Sequence, residues 1–116
     1  MAWIGVILTA FVALEHIGFM VLEMFLWTKP MGLKAFNQTP ESAAASATLA
    51  ANQGLYNGFL AAGLIWGVWA SRQDVMIFFL GCVVVAGVFG AATVKPKIFF
   101  VQAVPALLAL AAILLR

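Results

Sequence analysis

The chain has 116 residues, of which 66% are hydrophobic and only 9% charged; such a balance is far from that of a soluble globule and fits a single domain whose solvent is mostly lipid. A formal charge of +2 carried by scattered Lys and Arg excludes a nucleic-acid partner, because no cluster is dense enough to grip a phosphate backbone. The single Cys82 excludes an intrachain disulfide and reads as a small buried hydrophobe.

Four apolar stretches, near residues 3–28, 43–70, 75–94 and 98–115, can each cross a bilayer, which needs about 20 residues for a roughly 30 Å core. The expected fold is therefore all-α: an integral membrane bundle of four antiparallel transmembrane helices, with residues 1–116 as one membrane domain. No stretch carries the polar face that a water-soluble helix would need. The N-terminus lacks a basic leader, and an acid and a histidine interrupt its apolar run, so the first helix is expected to be retained.

That first stretch holds the residues most in need of explanation. Glu15, His16 and Glu23 stand inside a segment that otherwise reads as a membrane helix, where ionisable side chains are expensive and face a bundle interior. At 100° per residue, His16, Glu23 and Trp27 fall within an arc of about 40°, and Glu15 lies about a quarter-turn away. Met20 and Met24, at helical spacing, read as core.

The first connection, Lys29 to Ser42, holds Pro30, Gly32, Asn37 and Pro40 and reads as the one long loop, with Thr39, Glu41 or Ser42 starting the next helix. Helix two is rich in small residues, and Gly54 with Gly58 is a close-packing pattern of membrane helices. Its amides Asn52, Gln53 and Asn57, with Tyr56, read either as interhelical hydrogen-bond glue or as ligand contacts. Ser71-Arg72-Gln73-Asp74 and Lys95-Pro96-Lys97 are tight turns that make successive helices antiparallel neighbours. Helix three is scaffold, with Thr93 as its one polar residue. Helix four carries Gln102 and Pro105, and the proline is expected to free a backbone carbonyl near Val101.

Lys29, Lys34, Lys95 and Lys97 lie on one side, against Arg72 and Arg116 with the N-terminus on the other. The excess of lysine puts the first and third connections in the cytoplasm and both termini outside. Counted from the lysine-bearing side at 1.5 Å per residue, Glu23 and Gln102 lie at a depth of about 7 Å, Asn52 and Gln53 at about 15 Å, His16 at about 18 Å and Asn57 at about 21 Å, with Thr93 at the rim. Polar groups from three helices at compatible heights imply an intramembrane polar cavity opening toward the lysine-bearing face. His16 and Glu23 suit proton transfer as catalytic residues. Asn52, Gln53, Tyr56, Asn57 and Gln102 suit the holding of a hydroxyl or carbonyl, with Glu15, Thr93 and Trp27 as further ligand contacts; Trp27 also reads as an interfacial anchor. One histidine and one cysteine fall short of a zinc set, no spacing favours haem, and no nucleotide fingerprint occurs, so no metal site is expected and the sequence names no cofactor.

The run from His16 through Glu23 to Trp27, the segment Asn52-Gln53-Gly54-Leu55-Tyr56-Asn57-Gly58-Phe59, the Gly90-Ala91-Ala92-Thr93 end of helix three, and Gln102 with Pro105 together resemble the small bacterial and fungal membrane family catalogued as domain of unknown function 1304. The resemblance covers nearly the whole chain and is most specific in the NQGxYNGF segment. It implies a four-helix integral membrane protein and marks these positions as motif residues, without implying an activity. The layout is also loosely similar to membrane isomerases of the emopamil-binding kind, which move protons on sterols with acidic, histidine and asparagine side chains inside a helical bundle; this is analogy of composition alone.

Three functions compete at this level. The first is an intramembrane pocket that binds a small lipid-like molecule and acts on it by acid/base proton transfer. The second is a proton-coupled carrier or exporter, dimeric, centred on Glu15. The third is a structural subunit that packs through Gly54 and Gly58 against a larger membrane complex. The partners implied are membrane lipid, a small apolar ligand and a second copy of the chain.

Overall fold

A computed structural model describes residues 3–115, and every regular element among them is helical. In chain order they are α1 (Trp3–Met24), α2 (Pro30–Phe36), α3 (Pro40–Trp69), α4 (Gln73–Thr93), a π-helical segment (Phe99–Ala103) and α5 (Val104–Leu114). Two of these, α1 and α4, are long and apolar enough by length and composition to cross a membrane, and Phe99–Leu114 forms a shorter apolar helix. The 30 residues of α3 provide ample length, but Asn52, Gln53 and Asn57 dilute its hydropathy.

Most of the stretch expected as a loop, Lys29 to Ser42, is helix. The first helix ends at Met24, four residues before the anticipated Thr28, and the chain turns over residues 25–29 with the Lys29 N–H bonded to the Leu26 carbonyl at 3.0 Å. Pro30 then opens α2, where its fixed φ and missing N–H suit a first helical position. Asn37 closes α2 in the left-handed region at φ 53°. Its neighbour Gln38 donates its N–H back to the Leu33 carbonyl at 2.9 Å, and Asn37 donates to the Lys34 carbonyl at 3.3 Å, the Schellman arrangement that satisfies the last carbonyls of a helix. Thr39 caps α3: its Oγ1 accepts the Ser42 N–H at 3.1 Å, with Pro40 and Glu41 in the first turn.

The same closing device recurs after α3. Ser71 sits at φ 53°, the Arg72 N–H reaches the Gly67 carbonyl at 2.9 Å and the Ser71 N–H reaches the Val68 carbonyl at 3.3 Å. Arg72 then grips the exposed Asp74 through Nε (2.9 Å) and Nη2 (2.7 Å). The hydrogen bonds and charge of that carboxylate raise the guanidinium pKa above its ordinary value.

The described residues gather into two compact units. One takes the chain up to Leu14 and from Leu60 onward; the other runs from Glu15 to Phe59. The core of the first is apolar, built by Val12, Leu64, Met76, Leu80, Val83 and Ile113 with small alanines between them. Within it α4 and the π segment are in close contact: a Cβ on Gly87 would stand 2.9 Å from the backbone nitrogen of Ala103. Just ahead of Pro105, which was expected to free a carbonyl near Val101, the helix changes its winding. The Val104 N–H bonds to the Phe99 carbonyl, one residue farther back than in an α-helix, so the ladder is re-spaced just ahead of the proline ring.

Candidate functional site

Within the second unit the C-terminal part of α1 packs against the first two-thirds of α3, and glycine sets how closely. A Cβ on Gly54 would lie 2.6 Å from Met24 Cγ, 3.0 Å from Glu23 Cβ and 3.2 Å from the Met20 carbonyl, and one on Gly58 would lie 2.8 Å from Met20 Sδ. The glycines expected to serve packing do so inside the chain, with the two core methionines as their counterparts.

This close approach brings Glu23 to the amides of α3. Asn57 Nδ2 donates to Glu23 Oε1 at 2.6 Å, and Gln53 Nε2 donates to Oε2 at 2.8 Å. Gln53 and Asn57 are one helical turn apart, so both reach the same carboxyl group from one side of α3. Glu23 is 4% exposed and Asn57 8%. Each carboxylate oxygen still has an acceptor position left, since the group offers about four and these two donors take two.

His16 is fully buried on α1, with its ring edge-on to Phe19 at 5.1 Å between centroids. Seven residues separate it from Glu23, about 10 Å along the helix, so the two lie at different levels of one face and are not in direct contact through their own helix. Glu15 is half-buried, and among the described residues its Oε1 has no hydrogen-bond partner.

Trp27 is not on that helical face, because α1 has ended before it is reached. From the turn its Nε1 donates to Ser46 Oγ at 3.1 Å, and its ring lies 4.8 Å from that of Phe36. The indole thus fastens the turn and α2 to α3, with Ser46 as a partner that sequence reasoning missed; only the seven-residue spacing of Ser46 before Gln53 hinted that it shares their side of α3. A further omission is Thr9, fully buried on α1 with its hydroxyl on the Gly5 carbonyl at 2.7 Å, a back-bond by which threonine enters apolar helices.

Asn52 and Tyr56 are both exposed, and the amides that reach Glu23 are those of Gln53 and Asn57 instead. Thr93 and Gln102 fall in the other unit: Thr93 ends α4 with its hydroxyl on the Phe89 carbonyl at 2.7 Å, and Gln102 is half-buried in the π segment. Among the described residues no three His, Cys, Asp or Glu side chains gather as a metal site would require.

The arrangement of Glu23 between Gln53 and Asn57 joins two of the four sequence segments that carried the family resemblance. A family model described as "Protein of unknown function (DUF1304)" matches residues 10–114. The chain belongs to this family. It is also similar to the uncharacterized protein YpaA of Lactococcus lactis, at 32% identity over 114 residues covering 95% of this chain and 96% of the relative. No solved structure matches it. Helices α2 to α5 lie wholly inside the matched region, as does most of α1, so the carboxyl and amide cluster is part of the DUF1304 body.

Proposed function

We propose that this DUF1304 protein is an integral membrane protein whose four long helical segments cross the bilayer, and that its Glu23 cluster binds a small lipid-like molecule and acts on it by proton transfer. The observation that carries this reading is the reversal of the usual inside and outside. Thr9 and His16 are 0% exposed and Glu23 4%, whereas Phe11 is 53% exposed, Phe78 65%, Phe89 69% and Trp69 88%. In water such a surface aggregates; in lipid it is the solvated one. The lysines of the first and third connections then lie on the cytoplasmic side, with both termini outside.

In this setting Glu23 is the group that moves the proton. Its two free acceptor positions can take a ligand hydroxyl, and Gln53, the more exposed of its two amide partners, can yield its place to one. His16, about 10 Å farther along α1, would meet the other end of a ligand lying along that face. The test is mass spectrometry of small molecules that co-purify with gently extracted protein, native against a folded Glu23→Gln variant. A discrete apolar molecule present in the first and lost in the second is the expected result. Bulk membrane lipid alone, equal in both, would overturn the pocket.

The saturation of Glu23 by two donors of its own chain favours a second reading, in which the cluster is a structural lock between α1 and α3. A native protein that carries no discrete ligand, with a Glu23→Gln variant that unfolds far below the native temperature, would support that reading instead.

A further inference from the structure

Helix α3 presents two polar faces, and only one of them is used. Gln53 and Asn57 turn toward Glu23. Thr48, Asn52 and Tyr56 are all exposed and, spaced by four, lie within an arc of about 80° on another side of the helix. They form a ladder about 12 Å tall. Among the described residues none hydrogen-bonds to the Asn52 amide, and the contact made by the Tyr56 ring is with Phe59, edge-on at 5.7 Å. A ladder of hydrogen-bonding groups facing hydrocarbon is unfavourable, and helices in membranes relieve it by pairing.

We infer that this face is a homodimer interface, in which α3 packs against α3 of a second copy. The choice of occupant follows from the chemistry of the ladder. Two copies inserted the same way up are related by a two-fold axis along the membrane normal, which sets each residue near the axis against itself. A side chain can bond to its own copy only if it both donates and accepts. Threonine, asparagine and tyrosine all do, whereas lysine or an ionised carboxylate would repel. Glu41 lies on the same arc but in the first turn of α3, at the water-facing end; from Thr48 onward the polar positions on this arc are all of the self-complementary kind. Ala45, one turn before Leu49 on the same side, leaves room for the backbones to approach. The glycines are not available for this, since Gly54 and Gly58 are occupied by Met20 and Met24. The inference rests on the proposal that α3 crosses the membrane, and not on the ligand or the proton chemistry.

The experiment is disulfide cross-linking in native membranes. In a Cys82→Ala background, single cysteines replace Thr48, Asn52 or Tyr56, with Ala50 on the buried side of α3 and Val85 on the exposed side of α4 as comparisons. Each variant is also treated with a membrane-impermeant maleimide. Cross-linked dimer at 48, 52 and 56 but not at 50 or 85, with position 52 shielded from the maleimide, is the expected result. Asn52→Leu, followed by single-molecule photobleaching in liposomes, should lower the dimer fraction about fivefold or more. Cross-linking only at 85 would place any dimer on α4, and a shielded position 52 with no cross-link would leave a monomer; either overturns the interface. Ready labelling of position 52 by the maleimide would remove the membrane-spanning α3, and the interface with it.

Discussion

A carboxyl group held by two amides ties its stability to the shape and chemistry of both. Removing the shorter bond by Asn57→Ala leaves Glu23 Oε1 buried without its donor, and a loss of about 1–3 kcal/mol is expected by denaturant unfolding in detergent. Asn57→Asp is the sharper probe. It nearly preserves volume but sets a second carboxylate at the position where the donor lay 2.6 Å away, so at neutral pH it should destabilise more than the alanine variant does. Trp27→Phe keeps the ring beside Phe36 and loses the bond to Ser46; about 0.5–1.5 kcal/mol is expected by the same measurement. Replacement of Asp74, whose side chain is 68% exposed in its pair with Arg72, should leave the melting temperature unchanged, because exposed pairs contribute little.

At the level of elements, the approach of α1 and α3 depends on the absence of two side chains. Gly58→Leu drives a branched side chain into Met20 and should lower stability by about 1–3 kcal/mol or force the helices apart, which a spin-label distance across them would detect. The end of α3 offers the opposite case. Ser71 holds a left-handed backbone that glycine adopts without steric conflict, so Ser71→Gly should raise stability by about 0.5 kcal/mol, after the entropic cost of glycine is set against the relieved strain. The sequence announces these elements unevenly. Glycine spacing and apolar length made the long helices and the packing face legible, and Asn37 marked a turn correctly. The seven residues of α2 were hidden because proline, glycine and lysine are shared by loops and by short helices, and the early end of α1 was hidden because nothing from Phe25 to Thr28 forbids a helix. The turn that follows carries Trp27, whose indole bonds to Ser46 on α3, a pairing that local sequence does not show.

For the whole molecule, the pairing of Glu23 with Gln53 and Asn57 was only partly readable. Depth along each helix can be counted from sequence, but rotation about each axis cannot, and it is rotation that sends Gln53 and Asn57 to Glu23 and leaves Asn52 and Tyr56 outside. The proposed lipid setting carries its own expectation: the chain should remain in the membrane pellet through alkaline carbonate washing and be released only by detergent. The π segment from Phe99 to Ala103 has a last consequence, for how this chain tolerates changes in length. Each of its wide rings contains one residue more than an α-helical ring. A single deletion inside 99–103 can therefore be absorbed by reverting to regular winding, with Ala106, Ala109 and Ile113 still turned to the core, whereas the same deletion in the middle of α4 would rotate every later residue by about 100°. A one-residue deletion within 99–103 is therefore expected to leave the melting temperature far closer to native than one in the middle of α4.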